Sequence, residues 1–279
     1  MARKLYMRFP GGRAKALTLS YDDGVEQDIR LMDILDRHGL RCTFNLNSGC
    51  YAAEGHTYAP GTIHRRLPAS RVSQLYATDR HEVAVHSLTH PRLEVLPPSA
   101  VTQEVLQDRL NLEAQFGRIV RGMAYPYGSW SDAVVDCLRA CGIAYARTTA
   151  STGRFDVPTD WLRMPATCHH GDARLPELTS RFLEMKPGDK PQLFYLWGHS
   201  YEFEANDNWD IIERFAEQTG GRDDIWYATN IEIYDYVQDF NRLLWSADMC
   251  RVTNPTARTL YLRGEGKDFS LNPGETAVL

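Results

Sequence analysis

The sequence of 279 residues predicts an α/β protein, a distorted (β/α) barrel of about seven or eight units with a small C-terminal antiparallel β appendage. Three observations lead to this fold class. Short apolar runs alternate with amphipathic helical runs, which is the order that parallel strands with outer helices require. Glycines close several of the helical runs. After Cys250 the pattern changes to short β-type pieces separated by glycine and Asn-Pro-Gly turns, which indicates antiparallel strands.

The alternation places each element in order along the chain. The predicted strands span residues 16–20, 42–46, 82–85, 119–124, 144–147, 192–197 and 225–228. The predicted helices span residues 27–38, 70–77, 99–116, 131–141, 175–185, 209–218 and 231–245. The helix at 99–116 is the clearest, because its apolar residues recur at helical spacing and Gly117 ends it. This unbroken repeat favours a closed barrel over an open sheet.

Two further features divide the chain. Residues 48–68, rich in Gly, Tyr and His, are too long for a plain connection and are predicted to form a substrate-binding insertion. The change of pattern near Cys250 predicts a barrel domain at residues 1–248 and a β-rich extension at residues 249–279.

Composition narrows the possible partners. A net charge of −5 gives no electrostatic reason to expect nucleic acid or an anionic membrane surface, and no apolar run approaches a membrane span. The N-terminus lacks the apolar core of a secretory signal, which predicts a cytoplasmic location, or an extracytoplasmic one if a leader was removed. The six cysteines form no C-x-x-C pair, so reduced thiols are expected. The oligomeric state is left open.

Two short polar runs follow predicted strands. Asp22 and Asp23 follow the first strand, and His86 and His90 follow the third. Because the ends of parallel strands meet at one rim, two imidazoles and one carboxylate can converge on a metal while the other carboxylate stays free as a base. Each run alone is ambiguous, since Asp-Gly is common turn chemistry and H-x-x-x-H spacing is often accidental. Together they suit a site for Zn²⁺, Fe²⁺, Co²⁺ or Ni²⁺.

These runs carry a resemblance to a known family. T-L-S-Y-D-D-G at residues 18–24 and H-S-L-T-H at residues 86–90 resemble the first two motifs of the polysaccharide deacetylases, carbohydrate esterase family four. The resemblance covers about residues 14–245 and implies metal-dependent removal of acyl groups from amides or esters. It implies that Asp23, His86 and His90 bind one divalent metal ion and that Asp22 is the general base. Zinc is the first candidate, with cobalt, nickel and iron as alternatives.

The third and fourth motifs are less complete. A-Y-P-Y-G at residues 124–128 resembles R-x-P-[FY]-G, with Ala124 in place of the arginine. The resemblance implies that the backbone N–H of Tyr127 stabilises an oxyanion. T-D-W at residues 159–161 resembles the fourth motif, whose aspartate has then lost its arginine partner. Arg147 or Arg163 is a candidate to replace that arginine.

The histidines later in the chain have different predicted roles. His199 resembles the general acid of the fifth motif, with Trp197 where leucine is usual. His169 and His170 are adjacent, and adjacent side chains diverge on a strand. We therefore expect His169 and His170 to lie in a loop and not to form a metal pair.

The sequence predicts a metal-dependent hydrolase that removes an acetyl or other acyl group from an N- or O-acetylated carbohydrate. A small-molecule amidase similar to allantoinases, or a carbohydrate-binding protein with weakened catalysis, remains an alternative. Aromatic residues and histidines of the insertion, with Trp197 and Tyr201, could stack on sugar rings or close over a small ligand. The expected partner is therefore an acetylated sugar or a small amide substrate.

Overall fold

A computed structural model describes residues 5–279. The strands are β1 (Leu5–Arg8), β2 (Lys15–Asp22), β3 (Cys42–Leu46), β4 (Glu82–Val85), β5 (Gly122–Ala124), β6 (Tyr145–Ser151), β7 (Met164–Ala166), β8 (Cys168–His169), β9 (Gln192–Gly198), β10 (Ile225–Tyr227), β11 (Leu244–Trp245), β12 (Arg251–Thr253), β13 (Leu260–Gly264), β14 (Lys267–Leu271) and β15 (Thr276–Val278). The helices are α1 (Asp28–Arg37), α2 (Ala69–Leu75), α3 (Pro98–Phe116), α4 (Asp132–Ala140), α5 (Leu175–Glu184), α6 (Tyr201–Ala205), α7 (Asp210–Thr219) and α8 (Asn230–Asn241).

Nine parallel strands form the main sheet, in the order β7-β6-β5-β4-β3-β2-β9-β8, with β10 also paired to β2. At one end of the sheet, Met164 of β7 pairs with β6. At the other end, Cys168 of β8 pairs with Leu196 of β9. Only Thr167 separates β7 from β8, so this short segment joins the two ends of the sheet. The predicted distorted (β/α) barrel is confirmed.

Strand β2 lies at the centre of the sheet, and all eight of its residues are buried. Because side chains alternate along a strand, Thr18, Ser20 and Asp22 share one face. These three side chains join a hydrogen-bonded polar interior. Thr18 Oγ1 donates to Asn230 Oδ1 at 2.9 Å. Asn45 Nδ2 donates to Ser20 Oγ and to Asp22 Oδ1, both at 2.8 Å. The last residue of β2 is therefore held from inside the barrel.

Most predicted elements are found within a few residues of their predicted bounds. Strands β3 and β4 have the predicted bounds, and α3 ends at Gly117, which has a positive φ of 63°. The predicted helix at 231–245 is wrong at its end, because α8 stops at Asn241 and Leu244–Trp245 form β11. The reason is tertiary: β11 pairs with β12, and Trp245 packs into a second apolar core.

The C-terminal strands form two small three-stranded sheets, β1-β13-β14 and β11-β12-β15. Both sheets therefore include a strand that precedes the predicted extension. They share an apolar core with α8, to which Tyr236, Val252 and Leu260 belong. The division of the chain at residue 249 stays a prediction. All six cysteines are free thiols, and no helix within residues 5–279 is long and apolar enough to cross a membrane.

Glu82 is a buried carboxyl group whose protonation should affect the stability of the folded chain. Its carboxylate accepts hydrogen bonds from Thr43 Oγ1 and Tyr145 Oη, each at 2.7 Å, and from the N–H of Ile231 at 3.0 Å. Burial nevertheless raises the pKa of Glu82 from 4.5 to about 7. The folded chain then keeps a proton that the unfolded chain releases, so the free energy of unfolding falls as pH rises from about 4.5 to about 7.

We expect Glu82→Gln to lose less stability than the wild type over this pH interval, by up to about 3 kcal/mol. Urea unfolding at pH 5 and pH 7.5 measures the difference. Glu217→Gln, at an exposed position on α7, is the matched control and should follow the wild type. The same pH dependence in Glu82→Gln and the wild type would show that Glu82 is ionised throughout.

Candidate active site

The predicted site residues converge at the carboxyl-terminal rim of the barrel. Asp22 ends β2 and Asp23 follows it, His86 follows β4, and His199 follows β9. His90 lies in the loop after His86. The structure therefore brings together the residues that the two polar runs and the fifth motif predicted, because their strands are parallel and end on the same side.

Asp23, His86 and His90 form a compact group of possible metal ligands, with their ligand atoms within 4.8 Å of one another. Nε2 of His86 and Nε2 of His90 lie 3.9 and 3.8 Å from Asp23 Oδ1. Nδ1 of His86 lies 2.8 Å from the backbone oxygen of Ala124 and donates to it, since a carbonyl oxygen only accepts. The lone pair of His86 is thereby left on Nε2, on the side of Asp23.

The electrostatic state of this group also suits a metal. Burial lowers the pKa of His86. Burial and the neighbouring His86 lower the pKa of His90 to about 4. Both imidazoles are therefore neutral at neutral pH, as metal ligands must be. Two imidazole nitrogens and a carboxylate oxygen fit zinc, iron, cobalt or nickel.

Arg147 and Arg163, the two candidates for the missing third-motif arginine, contact different carboxylates. The guanidinium Nη2 of Arg147 contacts Asp22 Oδ2 in a buried ion pair. Ala124 and Arg147 are direct neighbours in the β5–β6 register, so the cation comes from the adjacent strand at the same height in the barrel. Arg163 instead pairs with Asp160, at 2.9 Å, and with Asp132. Of the two candidates, Arg147 is the one that contacts Asp22.

Asp22 is surrounded by cationic and polar groups. His86 Nε2 and His199 Nε2 lie 3.9 and 3.7 Å from its Oδ2. Burial acts to raise its pKa, but Arg147, together with the neighbouring His86 and His199, outweighs burial and lowers it. The Arg147 guanidinium also stacks on Trp197, 4.4 Å from the ring centroid. Asp22 is therefore an ionised carboxylate, the form that can accept a proton.

The insertion at residues 48–68 returns to the site and neutralises Asp23. Arg66 Nη2 donates to Asp23 Oδ1 at 2.9 Å, and His64 Nε2 lies 3.2 Å from Oδ2. Arg66 is itself fixed by a 2.6 Å hydrogen bond to Asn47 Oδ1. Burial acts to raise the pKa of Asp23, but His64 and Arg66 hold it well below its usual range. The sequence analysis did not select Arg66, although the sequence does show an arginine at this position of the insertion.

The rim has an unusual backbone. Asp23, Ser87, His90 and Tyr127 have positive φ values of 86°, 62°, 59° and 59°. Residues other than glycine rarely adopt this region, and it costs on the order of 1–3 kcal/mol each. At the third motif, the Tyr127 ring is 56% exposed and lies 4.7 Å from His90. The strained backbone thus coincides with the predicted site residues.

The predicted loop is wrong for His169, which belongs to β8, whereas His170 follows β8 in a turn. His169 ends β8, and both rings point to Glu202, with Nε2 atoms 3.0 and 3.1 Å from Glu202 Oε2. The side chains do not diverge because the strand stops at His169, which frees His170 from strand alternation. Glu202 also lies 3.4 Å from His199 Nδ1. Sequence reasoning missed Glu202, and no motif marks it.

The fold and the site define a parallel (β/α) barrel with a candidate metal centre at the carboxyl ends of its strands. A model of the family described as polysaccharide deacetylase matches residues 10–146 of this chain. A chitooligosaccharide deacetylase from Sinorhizobium fredii is 30% identical over 156 residues, 55% of this chain and 63% of the relative. The match thus spans less than two thirds of that relative's length.

Solved structures agree on the fold. A protein from Mycobacterium smegmatis, provisionally assigned as a polysaccharide deacetylase, is similar with a TM-score of 0.60 and 16% identity, over 85% of this chain and 94% of that one. A family 4 carbohydrate esterase from Streptomyces lividans, solved with acetate, gives a TM-score of 0.51 and 18% identity, over 77% of this chain and 93% of that one.

Arg147→Met tests the ion pair with the predicted base. Loss of the cation raises the pKa of Asp22, so the acidic limb of the pH profile of kcat/KM should move to higher pH. Arg163→Met removes a cation that does not contact Asp22 and is the matched control. Because loss of one partner of a buried pair costs about 3–5 kcal/mol, Arg147→Lys is measured in parallel. An unchanged acidic limb in a folded Arg147→Met protein would rule out this role.

Proposed function

We propose that this chain is a metal-dependent deacetylase that hydrolyses the acyl bond of an N- or O-acetylated carbohydrate. One observation supports this most directly. An ionised carboxylate, Asp22, and an imidazole, His199, face each other at 3.7 Å beside the group of Asp23, His86 and His90. A base, an acid and a metal-binding group at one rim are the components that acyl hydrolysis needs.

Asp23, His86 and His90 would hold one divalent ion, with zinc as the first candidate and cobalt, nickel and iron as alternatives. Bound there, the ion would polarise the acyl carbonyl and lower the pKa of a water molecule. Two arginines of the protein supply further positive charge beside the two carboxylates. Arg147 keeps Asp22 ionised, and Arg66 balances Asp23.

Two side chains of the protein carry out the two proton transfers. Asp22 accepts a proton from the attacking water through a carboxylate oxygen, and the water oxygen forms the new bond to the acyl carbon. The backbone N–H of Tyr127, in the turn Pro126–Gly128, stabilises the negative charge that develops on the carbonyl oxygen. His199 Nε2 gives its proton to the leaving nitrogen or oxygen as the acyl bond breaks. The products are acetate and the free amine or hydroxyl.

A carbohydrate substrate fits the aromatic rim. The exposed Tyr127 ring lies on one side of the site. The Tyr201 ring lies 5.2 Å from His199 and 4.8 Å from His64 on the other. Such rings present apolar faces on which a sugar can stack. The similarity to a chitooligosaccharide deacetylase favours N-acetylated sugars as the first substrates to test.

Two variants separate the base from the metal ligands. Asp22→Asn should retain the metal content of the wild type and lose at least about 10²-fold in turnover, because it removes only the base. His86→Ala should lose both metal and turnover. Metal analysis of the purified proteins and acetate release from chitooligosaccharides measure the two effects. Near-normal turnover by Asp22→Asn would refute the assigned roles.

The substrate panel decides between the proposal and its alternatives. It includes chitooligosaccharides, peptidoglycan fragments, acetyl-xylan, small N-acetyl sugars and ureides. Acetate release from an acetylated sugar supports the proposal. Stoichiometric metal without any turnover would make the chain a carbohydrate-binding protein, and release only from ureides or small amides would make it an amidase.

A further inference from the structure

Glu202 of the short helix α6 lies among three histidines outside the candidate metal group. His169 Nε2 and His170 Nε2 lie 3.0 and 3.1 Å from Glu202 Oε2. His199 Nδ1 lies 3.4 Å from the other oxygen, Oε1. The three histidines come from the ends of two neighbouring strands, β8 and β9. One carboxylate thus connects the predicted general acid to two histidines that the mechanism does not use.

The cluster is rigidly built. The His170 ring stacks between Phe203 and Tyr21, with centroids 4.1 and 5.7 Å away. A Cβ at Gly198 would overlap the His170 ring, so only glycine fits directly before His199. The backbone N–H of His170 donates to the oxygen of Trp197 at 2.8 Å. His170 is therefore held in place whether or not a ligand is present.

The hydrogen bonds of His169 exclude a second metal ion bound through its Nε2. The N–H of Gly171 donates to His169 Nδ1 at 3.0 Å, so Nδ1 uses its lone pair as an acceptor. In a neutral imidazole the proton must then lie on Nε2, which faces Glu202. A nitrogen that carries a proton has no lone pair for a metal. His169 therefore donates a hydrogen bond to Glu202 and is not a metal ligand in this arrangement.

Oε1 is the oxygen of Glu202 that faces the His199 ring, whereas Oε2 accepts from the His199 backbone N–H at 3.4 Å. Oε2 lies between His169 and His170, whereas Oε1 faces His199 Nδ1. Within residues 5–279, no hydrogen bond reaches this buried Nδ1, and Glu202 is the anion beside it. An anion at Nδ1 favours a proton there and leaves Nε2 towards Asp22, at 3.7 Å.

We propose that Glu202 is a positioning residue for His199, fixed by His169 and His170, and that it keeps His199 protonated for transfer to the leaving group. The inference rests on the proposed function, in which His199 is the general acid. The inference adds to that function the residues that orient His199. Asp160 of the fourth motif instead contacts Arg163 and the N–H of Leu162.

The surroundings of His199 support this assignment. Asp22 of β2 and Glu202 of α6 are the carboxylates that contact its ring nitrogens. His169, Trp197 and Tyr201 pack around the ring, with centroids 6.4, 5.9 and 5.2 Å away. Burial acts to lower the pKa of His199, but Glu202, Asp22 and Asp23 outweigh burial and raise it. Removal of the Glu202 charge should therefore favour the neutral imidazole.

Glu202→Gln tests the proposal through the leaving group. An amide nitrogen needs a proton to leave, whereas 4-nitrophenolate leaves without one. In the zinc-loaded enzyme we expect the variant to hydrolyse a chitooligosaccharide about tenfold or more slowly and 4-nitrophenyl acetate within about twofold of the wild type. Glu202→Asp, which keeps the charge, should recover part of the loss. Glu213→Gln on α7 removes a partly exposed carboxylate that pairs with Arg30 and does not contact the cluster, and it is the control.

A second readout does not depend on turnover. NMR titration of ¹⁵N-histidine-labelled zinc-loaded protein should show a lower pKa for His199 in Glu202→Gln than in the wild type, at one equivalent of zinc in both. If no substrate is turned over, the proposed function fails while this titration still decides the role of Glu202.

Three results would overturn the inference. The first is an unchanged His199 titration in a folded Glu202→Gln protein. The second is an equal loss with the amide and the aryl ester, which would indicate a general structural defect. The third is a second equivalent of zinc in the wild type that Glu202→Gln loses, which would make the cluster a metal site.

Discussion

The buried ion pair between Arg147 and Asp22 is the contact on which the arrangement of the rim depends. Two adjacent carboxylates at the end of β2 repel each other, and neither is exposed to water that would screen the repulsion. Arg147 balances Asp22 from inside the barrel, and Arg66 balances Asp23 from the insertion. With each carboxylate separately balanced, one can serve as a base while the other joins two neutral imidazoles.

The same separation explains why the chain tolerates Ala124. Arg147 lies beside Ala124 on the next strand, so a cation contacts Asp22 although the third motif has no arginine. The Ala124 backbone oxygen remains in use, because it accepts the hydrogen bond that orients His86. A buried ion pair is costly to form, and here it gives Asp22 a cationic partner different from that of Asp23.

The strained backbone of the rim is held by buried polar side chains below it. Asn47 Nδ2 donates to the backbone oxygens of His86 and Ser87, the latter at 2.9 Å, while its Oδ1 accepts from Arg66. Asp108 of α3 accepts from the N–H of Ser48 at 2.7 Å and of His86 at 3.1 Å. Asn47 therefore ties the histidine loop to the insertion, so that the strain is offset outside the reacting groups.

Local sequence could predict the barrel and the five side chains at its rim, because strand periodicity and motif spacing are local properties. It could not choose between Arg147 and Arg163, since that choice depends on strand register. It placed His169 in a loop, because the end of β8 is set by pairing with β9. Glu202 lies in a five-residue helix with no motif, and its role depends on contacts with a distant strand.

X-ray absorption spectroscopy of the protein loaded with one equivalent of zinc tests the central claim most directly. The account predicts a first coordination shell with two histidine nitrogens and at least one carboxylate oxygen, as Asp23, His86 and His90 provide. The spectrum of Glu202→Gln should be the same. A shell with sulfur ligands, or one that changes in Glu202→Gln, would place the metal elsewhere and contradict the account.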